Sequence, residues 1–184
     1  MSNYSGRAAY TIHKIIYKPK AEDGSLGGGF ILQKNYYKDT VFIIDESSML
    51  ADDGGMSGNL LGDLISFVFH GQNNRLILVG DTAQLPPVGS EFSPALEADY
   101  LLRHFRLDAD FIELTEVMRQ RLESGILYNA TNLRHQLLQE KQEIQISTSQ
   151  FKDTFKMTGE RLEDGLRYAY DKYDTENTTI ITRS

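Results

Sequence analysis

Apolar positions along the chain fall into short runs separated by polar, glycine-rich stretches, and the length and period of each run predict its element. Residues 8–17 mix β-branched and aromatic side chains and predict a buried element beside a strand. Residues 18–39 hold Pro19, a DGSLGGG stretch and then FILQKNYY, the pattern of a small hairpin with its turn near residues 24–29. VFII at 41–44 is wholly apolar, as expected of a strand buried on both faces of a parallel sheet, and it stops abruptly at Asp45 and Glu46. A Gly- and Asp-rich loop follows. Residues 59–70 then carry Leu60, Leu61, Leu64, Ile65 and Val68 at helical spacing, with Gly71 as the stop.

RLILV at 75–79 predicts a second buried strand, again closed by a turn with an acidic residue, Gly80 and Asp81. Ser93 followed by Pro94 is a helix start, DFIEL at 110–114 a third short strand, and residues 123–140 a long helix with Ile126, Ala130, Leu133 and Leu137 on one face. Another helix is predicted at 160–173 and a closing strand at 178–182. The alternation argues for an α/β fold with a mainly parallel sheet, in which ligands gather at the carboxyl ends of strands. Asp45, Glu46 and Asp81 all fall at such ends.

Composition narrows the partners. With 184 residues and 40% hydrophobic content the chain can bury one core of domain size. A net charge of −7 argues against a broad electrostatic clamp on nucleic acid, leaving room for a local basic track, of which Lys14, Lys18 and Lys20 with Tyr17 are the best example. The chain has no Cys, which removes disulfides, thiolate zinc sites and thiol nucleophiles, and its four His are scattered without metal-ligand spacing. No apolar run reaches the roughly 18 residues of a membrane span and the N-terminus has no signal-peptide core, so a cytoplasmic location without membrane contact is expected.

Chemistry concentrates in three segments. In VFIIDESS a buried strand delivers Asp45 and Glu46 to its exposed end. There an Asp can hold Mg²⁺ and the next carboxylate can deprotonate an attacking water; a strand with an ordinary acidic turn fits the same residues about equally well. In LILVGDTAQLPPVG, Gly80 permits a tight turn, Gln84 offers an amide able to sense a terminal phosphate, and Pro86 and Pro87 stiffen the exit. Arg119 follows a strand, where a guanidinium can stabilise a transferring phosphoryl group, although a lone Arg there is more often a surface ion pair. Asp52 and Asp53 sit in the Gly-rich loop as solvated turn residues that could supplement a metal site. Tyr36 and Tyr37, and the set Tyr168, Tyr170 and Tyr173, are candidates for base stacking, with helical spacing favouring core packing for the second set.

These segments, in this order, resemble the RecD-like subclass (subclass B) of superfamily 1 helicases, the group that includes the exodeoxyribonuclease V alpha subunit. DESSM looks like the family's Walker B motif, GDTAQLPPVG like its motif III, LTEVMRQ like its arginine motif, and Thr11, Ile12 and His13 like a segment that contacts single-stranded DNA. TTIITRS looks like the first strand of a second RecA-like domain. The resemblance implies a RecA-like, P-loop NTPase-type three-layer fold. It implies a partial first motor domain over residues 1–158, with 18–39 as a small hairpin insertion, and a linker helix with that first strand over 159–184. It also implies ATP as substrate with Mg²⁺ on Asp45, Glu46 as catalytic base, Gln84 touching the γ-phosphate, Arg119 as an arginine finger, and Gly80 and Asp81 lining the nucleotide. Thr11, His13 and Lys14 would bind single-stranded DNA, and recombination or repair nuclease subunits would be partners.

The sequence departs from that pattern at one place. No GxxxxGK[ST] loop occurs; in the family it precedes the TIH segment, so the fold is expected to be truncated at its N-terminal P-loop part. The chain alone is then expected to hydrolyse no ATP and, with apolar sheet edges exposed, to self-associate. Two rival readings remain: a non-catalytic, P-loop-less module that binds DNA or protein, and a metal-dependent nucleotidase using Asp45, Asp52 and Asp53.

Overall fold

The computed structural model describes residues 6, 8–20, 29–52, 59–115, 124–137, 139 and 144–182. Arg119, Asp53, most of the predicted hairpin turn and both ends of the predicted 123–140 helix lie outside them. The chain forms two compact units, Met1–Leu114 and Thr115–Ser184.

The first unit opens with a short helix, α1 (Ile12–Ile16), running directly into strand β1 (Tyr17–Pro19). The expected hairpin is present. β1 pairs antiparallel with β2 (Phe30–Leu32) in the register Tyr17↔Leu32, and backbone bonds from Lys20 to Gly29 and from Gln33 to Ile16 extend the ladder at both ends. β3 (Val41–Ile44) pairs in parallel with β4 (Arg75–Leu78), residue 41 opposite 75 through 44 opposite 78. Helix α2 (Leu60–His70) connects them as a crossover. It starts where the sequence puts it: the Asn59 side chain accepts from the Gly62 N–H at 2.7 Å, satisfying one of the donors a helix start leaves open. It stops before Gly71, and its last carbonyls are taken by side-chain amides. Buried Asn35 donates to Phe67 O at 2.7 Å, and Asn74 donates to Val68 O at 3.1 Å.

Among the described residues α2 supplies five of the nine buried apolar side chains, Leu61, Leu64, Ile65, Phe67 and Val68, joined by Ile16, Leu50, Ala95 and Leu101. At about 1.5–3 kcal/mol for each large side chain buried, this helix is the largest apolar contributor to the first unit. Phe42, Ile44, Leu76 and Leu78 pack against this buried cluster. The alternate residues do not: Val41, Ile43 and Ile77 are 50%, 59% and 46% exposed. The expectation that both strands are buried on two faces is therefore corrected. Among the described residues helices cover one face of the β3–β4 pair, so the three-layer arrangement is not seen and the sheet reads as an alternating one. Further expectations change as well. Residues 110–114 and 178–182 form no strand, because no described segment offers either a ladder partner. Ser93–Pro94 opens a single 3₁₀ turn, Pro94–Leu96, ahead of helix α3 (Ala98–Phe105).

In the second unit, α4 (Gly125–Leu137) is anchored at its start by Asp153. The Asp153 carboxylate accepts from the Ser124 hydroxyl at 2.7 Å and from the Gly125 N–H at 2.9 Å; the Ser124 hydroxyl, with the backbone N–H groups, holds this carboxyl below its ordinary range. Buried Asn129 pairs with the Ser147 backbone in both directions, each bond 2.8 Å. Helix α5 (Leu162–Tyr173) follows. Tyr168 and Tyr173 are exposed rather than core residues, and both rings take the Lys172 ammonium against them, at 5.3 and 4.9 Å. No described helix is long and apolar enough to cross a membrane.

Two phenol–carboxylate bonds tie β1 to α2 and the loop at Asp52 to α3. Tyr17 donates to Asp63 at 2.6 Å and Tyr100 donates to Asp52 at 2.6 Å. Desolvation, then the Asp63 bond and charge, raises the Tyr17 phenol to about 12; the Asp52 bond, then desolvation, raises Tyr100 to about 12. Each is neutral in the folded chain where a free phenol already ionises near pH 10. Their contribution is complete below pH 10 and is lost as pH rises toward 12. Urea midpoints should therefore hold steady up to about pH 10 and fall between 10 and 12, with a shallower fall in Tyr17→Phe.

Candidate functional site

In a parallel pair in register, the carboxyl ends of both strands emerge side by side. Ile44 and Leu78 are partners, so Asp45 and Glu46 leave the sheet beside Val79, Gly80 and Asp81. Two segments more than thirty residues apart thereby share one edge. Hydrogen bonds fasten them: Val79 N–H donates to Ile44 O at 2.8 Å, and Ser47 N–H donates to Val79 O at 2.9 Å.

The turn after β3 is abrupt. Glu46 lies in the left-handed region, φ 55 and ψ 38, and the chain then tightens into a 3₁₀ turn, Ser47–Met49. A non-glycine residue there costs roughly 1–2 kcal/mol. Ser47 offsets that cost. Fully buried, it donates its N–H to Val79 O and its hydroxyl to Ile44 O at 2.9 Å, two bonds each worth about 1 kcal/mol net. Neighbouring Ser48 is equally buried, but its hydroxyl has no partner.

Gly80 sits against this turn. A Cβ built on it would lie 2.9 Å from the Ser48 backbone nitrogen and 2.8 Å from Leu96 Cδ1. Its role is thus close approach between the two strand ends, with tight turning secondary. Beyond it, the Asp81 side chain accepts from the Ala83 N–H at 3.0 Å and Gln84 N–H donates to Asp81 O at 3.1 Å, so Asp81 shapes the loop that presents Gln84 to solvent. A shallow pocket of about 130 Å³ beside Gln84 is also lined by Thr82, Pro86, Phe92, Glu91 and Glu97. It is too small for a nucleotide and its two carboxylates oppose phosphate, so the open strand ends are the better candidate.

Asp45 and Glu46 are exposed hard-oxygen donors. Among the described residues no group of three or more His, Cys, Asp or Glu is placed to hold a metal. Mg²⁺ needs only one or two protein carboxylates when phosphates and water complete its shell, so Asp45 fits that ion as a partner of a bound nucleotide. A self-contained metal site built on Asp52 fares worse, since one of its oxygens accepts from Tyr100 and the other is buried without a partner.

The second candidate group lies on α1 and the hairpin. Thr11 caps α1, its hydroxyl accepting from Lys14 N–H at 3.4 Å. His13 is exposed and tilts against Tyr17, and Lys14 reaches over the Tyr10 ring at 5.1 Å. Residues 8–38 hold five Lys, all exposed, against Glu22 and Asp23, in a chain of net charge −7. Lys34 reaches over Tyr36, itself 79% exposed, at 5.6 Å. Sequence reasoning singled out Lys14, Lys18 and Lys20 and missed Lys34. The signal was there in the alternation of QKNY, with Asn35 buried and its neighbours out. It also missed Ser47, a small polar residue immediately after the acidic pair. Arg119 lies outside the described residues, so the structure does not place it.

The AAA domain family model matches residues 1–151, and the chain belongs to that family. More closely, it is 32% identical over 139 residues to the ATP-dependent RecD2 DNA helicase of Deinococcus radiodurans, covering 73% of this chain and 16% of that helicase. The RecD-like character read from the motifs rests on both matches. No solved structure gives a significant match.

Gly80 offers a direct test of how tightly the two strand ends pack. Gly80→Ala should lower unfolding stability by about 1–3 kcal/mol in urea, because the added methyl meets the Ser48 backbone nitrogen as well as the Leu96 side chain, and the backbone cannot yield. A loss below about 0.5 kcal/mol, the size of an ordinary surface change, would show that the turns can part freely.

Proposed function

We propose that the chain is the Walker B and motif III part of an ATP-dependent DNA helicase motor. The observation carrying this reading is the fastening of the Asp45–Glu46 turn to the Gly80–Gln84 loop at the open end of a parallel strand pair, which suits Mg-nucleotide hydrolysis. Asp45 would hold Mg²⁺, which when bound would supply charge neutralisation on the phosphates. Glu46 takes the proton of the attacking water, and Gln84 contacts the terminal phosphate from the adjoining loop. Gly80 and Asp81 shape the wall of the nucleotide site. Arg119 stabilises charge on the transferring group. Thr11, His13 and Lys14 bind single-stranded DNA within a lysine-rich tract, residues 8–38, whose five Lys outnumber Glu22 and Asp23 and let a chain of negative net charge hold a polyanion locally.

The AAA family membership and the likeness to a RecD2 helicase support this assignment. Translocation, duplex unwinding, action in DNA repair, association with nuclease subunits and a cytoplasmic setting belong to the same proposal, as do the absence of turnover by this chain alone and its self-association. The rival, a binding module without catalysis, draws on the missing GxxxxGK[ST] sequence.

Steady-state ATP turnover by the full gene product, with and without single-stranded DNA, separates the two. The motor reading expects DNA-stimulated turnover, with kcat reduced about 10²–10⁴-fold by Glu46→Gln. Turnover indifferent to that substitution removes Glu46 as the base, and no turnover under either condition favours the binding module. For the nucleic-acid site, Lys14→Ala should weaken oligo-dT binding to this chain and reduce the slope of log K against log salt by about 0.7, the value for one single-strand phosphate contact.

A further inference from the structure

We propose that Ser47 is a positioning residue that holds Glu46 in its left-handed conformation and yokes the acidic turn to the Gly80–Gln84 loop. This rests on the reading of Glu46 as the water-activating base. The geometry is specific to Ser47. Its hydroxyl returns to Ile44 O, the last carbonyl of β3, while its N–H reaches Val79 O at the end of β4. Ile44 O also accepts from Val79 N–H, so one buried residue closes a ring of three hydrogen bonds through both strand ends. Glu46 lies inside the segment this ring spans, between Ile44 and Ser47, and that span fits only a sharp reversal. Releasing the hydroxyl frees the reversal to relax toward ordinary φ, which turns the Glu46 side chain away from its place beside the motif III loop. Ser48 provides an internal contrast, since it has the same burial and the same chemistry but no partner.

The first arm of the test is NMR on this chain, reading the Glu46 backbone coupling and Cα shift, which report φ directly. Ser47→Ala should move both away from left-handed values and shift the Val79 and Gly80 amides with them. Ser47→Thr, which keeps the hydroxyl, should restore them, and Ser48→Ala should leave Glu46 unchanged. An unmoved Glu46 in Ser47→Ala, or an equal response in Ser48→Ala, overturns the proposal. If Ser47→Ala does not fold, the wild-type chain decides, because a Glu46 φ outside the left-handed region there also overturns it.

The second arm uses the full gene product. Ser47→Ala should lower kcat about 10- to 100-fold with KM for ATP unchanged, and Ser47→Thr should recover most of it. An unchanged kcat in Ser47→Ala, where Glu46→Gln is impaired, overturns the positioning role. If Glu46→Gln itself is unimpaired, the base assignment has failed, and the NMR arm alone judges the clamp.

Discussion

The parallel pairing of Val41–Ile44 with Arg75–Leu78 is the constraint from which the rest of the first unit follows. A parallel pair requires a crossover, and α2 is that crossover; its apolar stripe finds its partner in Phe42, Ile44, Leu76 and Leu78. Register matters as much as pairing. A one-residue slip of β4 would exchange Leu76 and Leu78 for Arg75 and Ile77, placing a guanidinium against the core. Side chains fix the register at the entry to the strands. Asn74 accepts from Thr40 N–H at 3.1 Å and also donates to the end of α2, while Asn35 reaches the same helix end from the chain leading into β3.

At the exit from the strands the same pairing creates a steric and polar problem, since two chains must leave one narrow edge. Glycine at position 80 solves the steric part by letting backbone meet backbone. Ser47 solves the polar part by absorbing the carbonyls of both Ile44 and Val79. Glu46 takes the conformational cost. The candidate site is therefore the place where local backbone preference is overridden, and strain at such a position points to a role that the preference alone would not select.

Much of this was legible in the residues, for identifiable reasons. α2 was readable because Leu60, Leu61, Leu64, Ile65 and Val68 repeat with the helix period and Asn59 and Gly71 mark its ends. The β1–β2 hairpin was readable from glycines between two strand-like runs. The burial of β3 and β4 was misjudged because a run such as VFII carries no alternation: it is apolar on both faces whether or not both are covered. DFIEL and TTIIT have strand composition, yet a strand is a pairing, and composition does not name a partner. Asp45, Glu46 and Asp81 were singled out because strand ends collect function in α/β folds, and Gly80 because it permits a tight turn. Ser47 was passed over because serine after an acidic pair is unremarkable until the carbonyls it must satisfy are located. Arg119 stays an inference from sequence.

Charge supplies the last step. A net charge of −7 predicts repulsion from nucleic acid if it is spread evenly, and here it is uneven. Residues 8–38 carry five Lys against Glu22 and Asp23, with Tyr10 and Tyr36 each lying beneath a lysine ammonium. Screening in physiological salt limits the reach of any charge to about 8 Å, so a strand of phosphates on this tract would feel these lysines far more than acidic residues elsewhere. On the proposed reading, local arrangement governs binding where the total misleads. The exposed rings add a stacking surface that salt does not screen, which distinguishes a single strand with free bases from a duplex whose bases are already stacked.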